Sequence, residues 1–391
     1  MLDIAAELHE WVRQGRDFAV ATVVAVDGSA PRGPGATLAV DTGGEAVGSV
    51  SGGCVEAAVY ELCRQSLRDG RTVLEHFGPT ADDPFATGLT CGGSIDVLVT
   101  PVPRSSSARA LTARALAAAA SGRPTALARP LPPADTPEDP RPLLVHPDGT
   151  REGTLCGPPE LDRWAAREAA ALLAAGRTGT VPGCLSTGRP ALFVESSAAP
   201  PRLIVFGAVD VASALVGLGA FLGYRVTVCD ARPVFATRAR FPAAHEVVVD
   251  WPHRYLERTE VDARTVLCVL THDPRFDVPL LRLALRLPVA YIGAMGSRAT
   301  HEDRVRRLRE TGVTERRLNR LRSPIGLDLG ARTPQETALS IAAEIVAVLR
   351  GGSGPPLTGG RAPIHHDAPG RVPRRPELSP PGTPRTSPRN R

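Results

Sequence analysis

From residue 201 onward, apolar strand-like segments alternate with helical ones, and this alternation restricts the fold more than any other feature of the chain. The predicted strands are LIVF (203–206), RVTVCD (225–230), HEVVV (245–249), TVLCVL (265–270) and PVAYIG (288–293). The last helix is predicted to begin at the capping-box sequence TPQE (333–336). Strands that alternate with helices form parallel sheets covered on both faces. We therefore predict an α/β chain whose residues 201–352 form a C-terminal Rossmann-like, doubly wound domain.

The sequence before residue 199 follows a different pattern. A β-rich segment, FAVATVVAV (18–26), is followed by short strand-like stretches, and helical patterns occur near 108–120 and 158–176. We found no repeat of fixed period. These features predict a small N-terminal α+β domain at residues 1–198.

The basic charge of the chain lies in its C-terminal segment. The formal net charge is +5, and residues 352–391 contain seven arginines against Asp367 and Glu377, which accounts for all of it. The preceding sequence is formally neutral, so we predict no nucleic-acid-binding face. Residues 353–391 are rich in Gly, Pro, Ser and Arg with little to bury, and we predict that they are disordered.

The N-terminal sequence and the cysteines indicate the compartment. MLDIAAELHEWVRQG carries Asp3, Glu7 and Glu10, which is unlike a signal peptide, and no window approaches the apolar length of a membrane span. The seven cysteines form no Cys-x-x-Cys pair. We therefore predict a cytoplasmic protein with reduced thiols, no membrane association, and neither a disulfide framework nor a structural zinc site.

One glycine-flanked cysteine lies where a helical pattern begins. Cys54 follows Gly52 and Gly53, and apolar residues then recur at helical spacing from Val55. Unpaired N–H groups and the helix dipole at such a position favour a thiolate, the nucleophilic and metal-binding form of cysteine. The alternative is a small cysteine that fills space at a tight turn. Cys63, nine residues later, is predicted to point to the opposite face and into the core.

A second cysteine also adjoins a glycine pair. In LTCGGS, Cys91 directly precedes Gly92 and Gly93. Glycine pairs let the backbone approach a ligand closely and leave the thiol accessible.

The turn after the first predicted strand of the Rossmann-like domain only partly fits a dinucleotide site. Gly207 is the expected first glycine, and Asp230 is placed to bind a ribose hydroxyl. Val209, however, replaces the second glycine, and Asp210 adds negative charge near the expected phosphate. NAD(P) binding is therefore doubtful, and a Rossmann-like fold with a lost or altered nucleotide site carries equal weight.

Polar loops follow several strands of this domain, where doubly wound sheets bind ligands. THDPRFD (271–277) contains His272 and Asp273, and GAMGSR (293–298) and SPIGLDLGARTP (323–334) lie at later strand ends. A His-Asp step can bind a cofactor or a metal, but it more often caps a helix or forms a turn.

Taken together, GSAPRGPG, GSVSGGCVE, LTCGGSIDVLV, THDP, YIGAMGSR and PIGLDLGARTPQETALSIAAEI resemble the xanthine dehydrogenase accessory protein family (XdhC/CoxI-like) over about residues 5–350. The resemblance implies a chaperone that binds molybdenum cofactor (molybdopterin), protects it or helps to sulfurate it, and delivers it to an apo molybdenum hydroxylase. It makes Cys54 and Cys91 the expected contacts to the cofactor or its molybdenum. It further implies a cysteine desulfurase partner and a homodimer. The family's Gly-Ala-Gly-His turn is Gly207-Ala208-Val209-Asp210 here.

Two other functions remain open from the sequence. An NAD(P)-dependent oxidoreductase is suggested by Gly207 and Asp230, and a protein-interaction scaffold needs no ligand at all. The chaperone hypothesis predicts no catalytic residues. Bound pterin would distinguish it from both alternatives.

Overall fold

A computed structural model describes residues 1–78, 89, 92–131, 141–184 and 189–359. In this part of the chain the strands form three sheets, two of five strands each in the N-terminal half and one of six strands in the C-terminal half. The predicted α/β architecture is confirmed, with an antiparallel first half and a parallel second half.

The first sheet has the strand order β3-β2-β1-β5-β4 and is antiparallel throughout. Its strands are β1 (Phe18–Asp27), β2 (Thr37–Asp41), β3 (Ala46–Gly48), β4 (Val73–Phe77) and β5 (Ser94–Val102). Alternate residues of β1 enter two different cores, as the two-residue period of a strand requires. The α-helix α2 (Glu56–Asp69) packs on one face of this sheet.

The second sheet was not predicted. It has the order β8-β7-β6-β10-β9 and is also antiparallel. Its strands are β6 (Thr125–Pro130), β7 (Leu143–Val145), β8 (Arg151–Gly153), β9 (Gly179–Val181) and β10 (Leu192–Ser197). The helices α1 (Ala5–Arg13) and α3 (Arg109–Ala120) share one core with strands of both sheets, and α4 (Pro159–Ala174) covers the outer face of the second.

The third sheet is parallel, with the order β13-β12-β11-β14-β15-β16. Its strands are β11 (Arg202–Phe206), β12 (Arg225–Asp230), β13 (Glu246–Val249), β14 (Val266–Val269), β15 (Tyr291–Ala294) and β16 (Leu321–Arg322). The order reverses between β11 and β14, which is the switch point of a Rossmann sheet. The predicted doubly wound domain is confirmed.

Helices cover both faces of the parallel sheet. The connecting helices are α5 (Asp210–Phe221), α6 (Pro252–Arg258), α7 (Pro274–Ala284), α8 (Arg298–Glu310), α9 (Glu315–Leu318) and α10 (Pro334–Arg350). One core contains α5 and α10, and the other contains α6, α7 and α8. The predicted capping box of α10 is present, with reciprocal hydrogen bonds between Thr333 and Glu336.

The proposed division of the chain falls between two strands of different sheets. The strand β10 ends at Ser197 and β11 begins at Arg202, so a boundary between 198 and 201 cuts no element. Residues 353–359 are exposed. The predicted disordered tail lies otherwise outside the described residues, and its structure stays a prediction.

Candidate functional site

The strand order brings three sequence motifs to one end of the first sheet. The strand β1 ends at Asp27, opposite Ser94, where β5 begins, and β3 ends at Gly48, opposite Leu38 near the start of β2. The loops at 28–36, 49–55 and the glycine pair before β5 therefore all leave the sheet at this end. They carry GSAPRGPG, SGGC and the described part of LTCGGS.

Two of these loops touch through their backbones. A methyl group added to Gly93 would lie 2.2 Å from the carbonyl oxygen of Ser29, and one added to Gly28 would lie 3.3 Å from Cα of Gly93. A side chain at Gly93 would therefore overlap the neighbouring chain. Cys91 itself lies outside the described residues, so its predicted role stays a prediction.

The loop before α2 is organised by the carboxylate of Glu56. Its Oε1 accepts hydrogen bonds from the backbone N–H groups of Ser51 and Gly52, both at 2.8 Å, and from the Ser49 hydroxyl at 2.7 Å. Its Oε2 accepts from the Gly53 N–H at 2.7 Å and from the Ser51 hydroxyl. The carboxylate thus occupies the position in which a loop of this kind would otherwise bind an anion.

The hydrogen bonds from these donors determine the pKa of the Glu56 carboxyl. Burial alone would raise its pKa, but the hydrogen bonds from Ser51, Ser49 and the Gly53 backbone outweigh burial and hold the pKa of this carboxyl well below its ordinary value. Gly52 and Gly53 have φ of +76° and +122°, which other residues rarely adopt. Glycine is therefore needed for the backbone to turn its N–H groups towards Glu56.

Cys54 follows the two glycines and directly precedes Val55, the residue that caps α2. It is partly buried and packs against the core of the first sheet. The prediction that Cys54 lies at a helix start is confirmed. Its contact with a ligand stays a prediction.

Three other cysteines are core residues. Cys63, Cys229 and Cys268 are fully buried, as predicted for Cys63. Burial raises the pKa of Cys63 and of Cys229 to about 12, and it raises the pKa of Cys268 further. These thiols remain protonated at neutral pH and act as small apolar side chains.

At the switch point of the parallel sheet, the Asp230 carboxylate is already engaged. Its Oδ2 accepts a hydrogen bond from the Ala208 N–H at 2.7 Å, and both oxygens accept from Arg232, including Nε at 2.9 Å and a terminal nitrogen at 2.8 Å. Hydrogen bonds from Arg232 and Ala208 outweigh the effect of burial and lower the pKa of Asp230. A ribose hydroxyl would have to displace Arg232, so these contacts oppose the predicted role of Asp230.

The turn between β11 and α5 also holds a side chain of the protein near the place where a pyrophosphate would bind. Gly207 has φ of +110°, and an added methyl group would lie 3.0 Å from the Thr271 backbone nitrogen. Asp210 opens α5, and its carboxylate accepts from Arg240 at 3.2 Å. An acidic side chain thus lies at the helix terminus that binds pyrophosphate in dinucleotide-binding Rossmann domains.

The predicted pair His272 and Asp273 follows β14. Asp273 caps α7 by accepting from the Arg275 N–H at 2.9 Å, while His272 is exposed. Asp273 therefore has the capping role that is common for a His-Asp step. Cofactor binding by this pair stays a prediction.

Sequence reasoning missed a buried ion pair beneath this loop. Arg304 donates to Asp277 at 2.9 Å, to the Met295 carbonyl at 2.8 Å and to the Ser323 hydroxyl at 3.0 Å. Both charged side chains are almost inaccessible. Arg304 thereby ties the first turn of α7 to the loops that follow β15 and β16 at the carboxyl edge of the sheet.

The part of the chain that the structure describes shows neither a metal-binding cluster nor a membrane-spanning helix. No group of three or more His, Cys, Asp or Glu side chains is arranged to hold a metal ion. Among the same residues, no helix has both the length and the apolar character needed to cross a bilayer.

Comparison with known proteins supports the sequence resemblance. The chain is 26% identical over 349 residues to a probable xanthine dehydrogenase subunit of Bacillus subtilis, covering 88% of this chain and 96% of that protein. It is 25% identical over 340 residues to the molybdenum cofactor insertion chaperone PaoD of Escherichia coli, covering 87% and 86%. The fold resembles the crystal structure of a xanthine dehydrogenase from Bacillus halodurans, with a TM-score of 0.62 and 24% identity over 89% of this chain and 96% of that one.

Two family models match separate parts of the chain. Residues 11–78, which contain β1 and the Cys54 loop, match the XdhC and CoxI family, and residues 203–345 match the XdhC Rossmann domain. The two matched regions together include four strands of the first antiparallel sheet with the Cys54 loop, and the parallel sheet. The chain therefore belongs to the XdhC and CoxI family.

Proposed function

We propose that this protein binds molybdenum cofactor as its cargo and delivers it to an apo molybdenum hydroxylase. The observation that carries the proposal is the meeting of the 28–36, 49–55 and Gly92–Gly93 loops at one end of the first sheet. A relative with 25% identity is a molybdenum cofactor insertion chaperone, which supports the same assignment.

The chemistry of the loops suits such a cargo. A thiolate from Cys54 is a soft ligand that molybdenum in a dithiolene accepts. Because Glu56 fixes the preceding backbone, Cys54 is held in one position before any ligand arrives. A single thiol contact also suits a carrier, since the cargo has to be released. We expect Cys91 and its glycine pair to contribute from the adjoining loop.

The protein's role in this proposal is transport rather than turnover. Sulfuration of the cofactor would require a cysteine desulfurase as a further partner, and we propose that the chain presents the cofactor to it. We propose a cytoplasmic location and a homodimer on the basis of the family resemblance. An NAD(P)-dependent oxidoreductase is not favoured, because Arg232 and Asp210 occupy the dinucleotide positions at the switch point.

The test is the cofactor content of Cys54→Ser. Purified from cells that make molybdenum cofactor, the wild-type protein should carry molybdenum and yield a fluorescent pterin derivative after oxidation. Serine keeps the size of cysteine but is a poor ligand for a soft metal, so Cys54→Ser should lose most of the bound molybdenum with an unchanged Tm.

Cys156→Ser is the matched control, because Cys156 is an exposed thiol in the other antiparallel sheet region. It should retain the full molybdenum content. Equal loss in both variants, or full retention in Cys54→Ser, would refute the assigned role of Cys54.

A further inference from the structure

One cavity in the described part of the chain is lined by segments that adjoin all three sheets. Its volume is about 760 Å³, and its wall includes residues 31–36 of the GSAPRGPG loop, the end of β10, the connection 198–201 and Arg264.

Two polar atoms of the wall lack a hydrogen-bond partner. Among the described residues, the hydroxyl of Ser196 and Nε of Arg264 are both buried without a hydrogen bond. Buried polar groups are nearly always hydrogen-bonded, because an unmet bond costs about 1–3 kcal/mol. Both groups are donors, so they would suit a ligand that brings acceptor oxygens.

The charged side chains in the wall are all paired within the chain, so the unmet bonding capacity of the wall lies in hydrogen-bond donors. Glu195 is buried and paired with Arg129, and Asp3 accepts from the Thr37 N–H at 3.2 Å and from Arg32 at 3.5 Å. Both carboxylates are thus engaged with the chain itself. Arg32 is the partner of Asp3, and the terminal nitrogens of Arg264 donate to Asp262 at 3.2 Å and to the Ala199 carbonyl at 2.8 Å. The donors still without an acceptor are Nε of Arg264 and the Ser196 hydroxyl.

The loop at 28–36 connects the cavity to the glycine pair beside Cys91. The same loop contacts Gly93 through Ser29 and lines the cavity from Pro31 onward. From Ser29 to Arg32 the chain spans at most about 11 Å. At the other end of this loop, Gly35 packs closely against the second sheet region. It has φ of +97°, and a methyl group there would lie 2.9 Å from the Thr178 side chain.

We propose that this cavity binds the phosphate-bearing end of the cargo, with Ser196, Arg264 and Arg32 as the phosphate ligands, while the Cys54 loop contacts its other end. The inference rests on the proposed function for the identity of the cargo. That the bound group is a phosphate is inferred from the residues of the cavity alone. Arginine donors and a hydroxyl are the usual protein partners of a phosphate monoester.

The sharpest variant is Ser196→Ala. It removes a buried hydroxyl that bonds to nothing in the described chain, so a purely structural role predicts an unchanged or higher Tm and unchanged ligand content. Our proposal predicts an unchanged or higher Tm together with at least a fivefold loss of pterin per protein. Arg264→Met should show a larger loss, and Arg123→Met, an exposed arginine outside the cavity, should match wild type.

A second measurement uses inorganic phosphate alone on cofactor-free protein. Phosphate should raise the Tm of wild type above that in chloride of equal ionic strength, and Ser196→Ala and Arg264→Met should abolish the difference while Arg123→Met keeps it. If Ser196→Ala and Arg264→Met keep the pterin while Cys54→Ser loses it, the cavity assignment is wrong and the function stands. If wild type holds no pterin, the function fails and the phosphate measurement alone decides the cavity.

Discussion

Two loops of this molecule hold a carboxylate where a bound anion could lie. In the first sheet, Glu56 accepts the N–H groups of Ser51, Gly52 and Gly53. In the parallel sheet, Asp230 accepts the Ala208 N–H and is covered by Arg232. The first arrangement leaves a partly buried thiol, Cys54, at the helix start, whereas the second leaves the switch point blocked.

The difference teaches that a glycine-rich turn before a helix does not by itself identify a phosphate site. What matters is which group already accepts the backbone N–H donors. In both loops the chain supplies its own acceptor, which takes three backbone N–H groups in the first loop and that of Ala208 in the second. The ligand chemistry then depends on the side chains that remain, which are Cys54 in the first loop and arginines in the second.

The largest expected effect comes from removing the first carboxylate. Glu56→Ala releases the N–H groups of the 51–53 loop to water, and a hydrogen bond to a charged group contributes about 1.5–3 kcal/mol. We expect the free energy of unfolding to fall by about 2–3 kcal/mol and most of the bound molybdenum to be lost.

Urea unfolding and molybdenum analysis of purified Glu56→Ala provide the measurement. Glu61→Ala, a change at an exposed glutamate of the same helix, is the matched control and should leave both values unchanged. Full molybdenum content in Glu56→Ala would show that the loop does not need its carboxylate to present Cys54.

A smaller effect is expected at the buried cysteine of the same helix. Cys63→Ser places a hydroxyl in a fully buried position, which should lower the free energy of unfolding by about 1–3 kcal/mol. Molybdenum per folded protein should stay at the wild-type level. Loss of molybdenum without loss of stability would mean that Cys63, and not Cys54, is the functional thiol.

The sequence predicted elements held by local contacts better than those held by contacts between residues far apart in the chain. The central parallel strands were found because they are buried on both faces and therefore appear as apolar runs, as in TVLCVL, whereas the two-residue strand β16 was not predicted. The capping box at Thr333 was found because all of its hydrogen bonds are local. The second sheet was missed because β7, β8 and β9 have three residues each, too few to show a period, and β6 pairs with β10 across more than sixty residues.

The candidate site was predicted only in outline. The position of Cys54 at a helix start follows from local spacing, but the sequence marks Glu56 merely as an acidic residue of a first helical turn. Its role depends on positive φ at two glycines, which composition suggests but does not specify. Asp230 was expected to bind ribose because the sequence does not reveal that Arg232, two residues later, folds back onto it.

Acid sensitivity gives a third, more modest test of the first loop. The pKa of Glu56 is lower in the folded protein than its ordinary value of 4.5, so its stabilising contribution is complete above that value and is lost as pH falls below it. The Tm of wild type should therefore fall more steeply below pH 4.5 than that of Glu56→Gln. Parallel curves would indicate that the carboxylate is not the acceptor described here.

The smallest effect is expected at the second loop. Titration of the wild-type protein with NAD or NADP should give no saturable heat. Val209→Gly combined with Asp210→His should restore weak binding, because it removes the charge at the start of α5 and frees space for a pyrophosphate. Tight binding by the wild type would place the oxidoreductase alternative first.

The burial of Cys63, Cys229 and Cys268 also has a consequence for reaction with electrophiles. Alkylating reagents and peroxide attack the thiolate, and protonated thiols enclosed in a core react slowly. Brief treatment of the native protein should therefore modify none of these three cysteines and leave the parallel sheet intact. Any oxidative damage would fall on cysteines nearer the surface, such as Cys156, and a cargo resting on the Cys54 thiol would shield that residue.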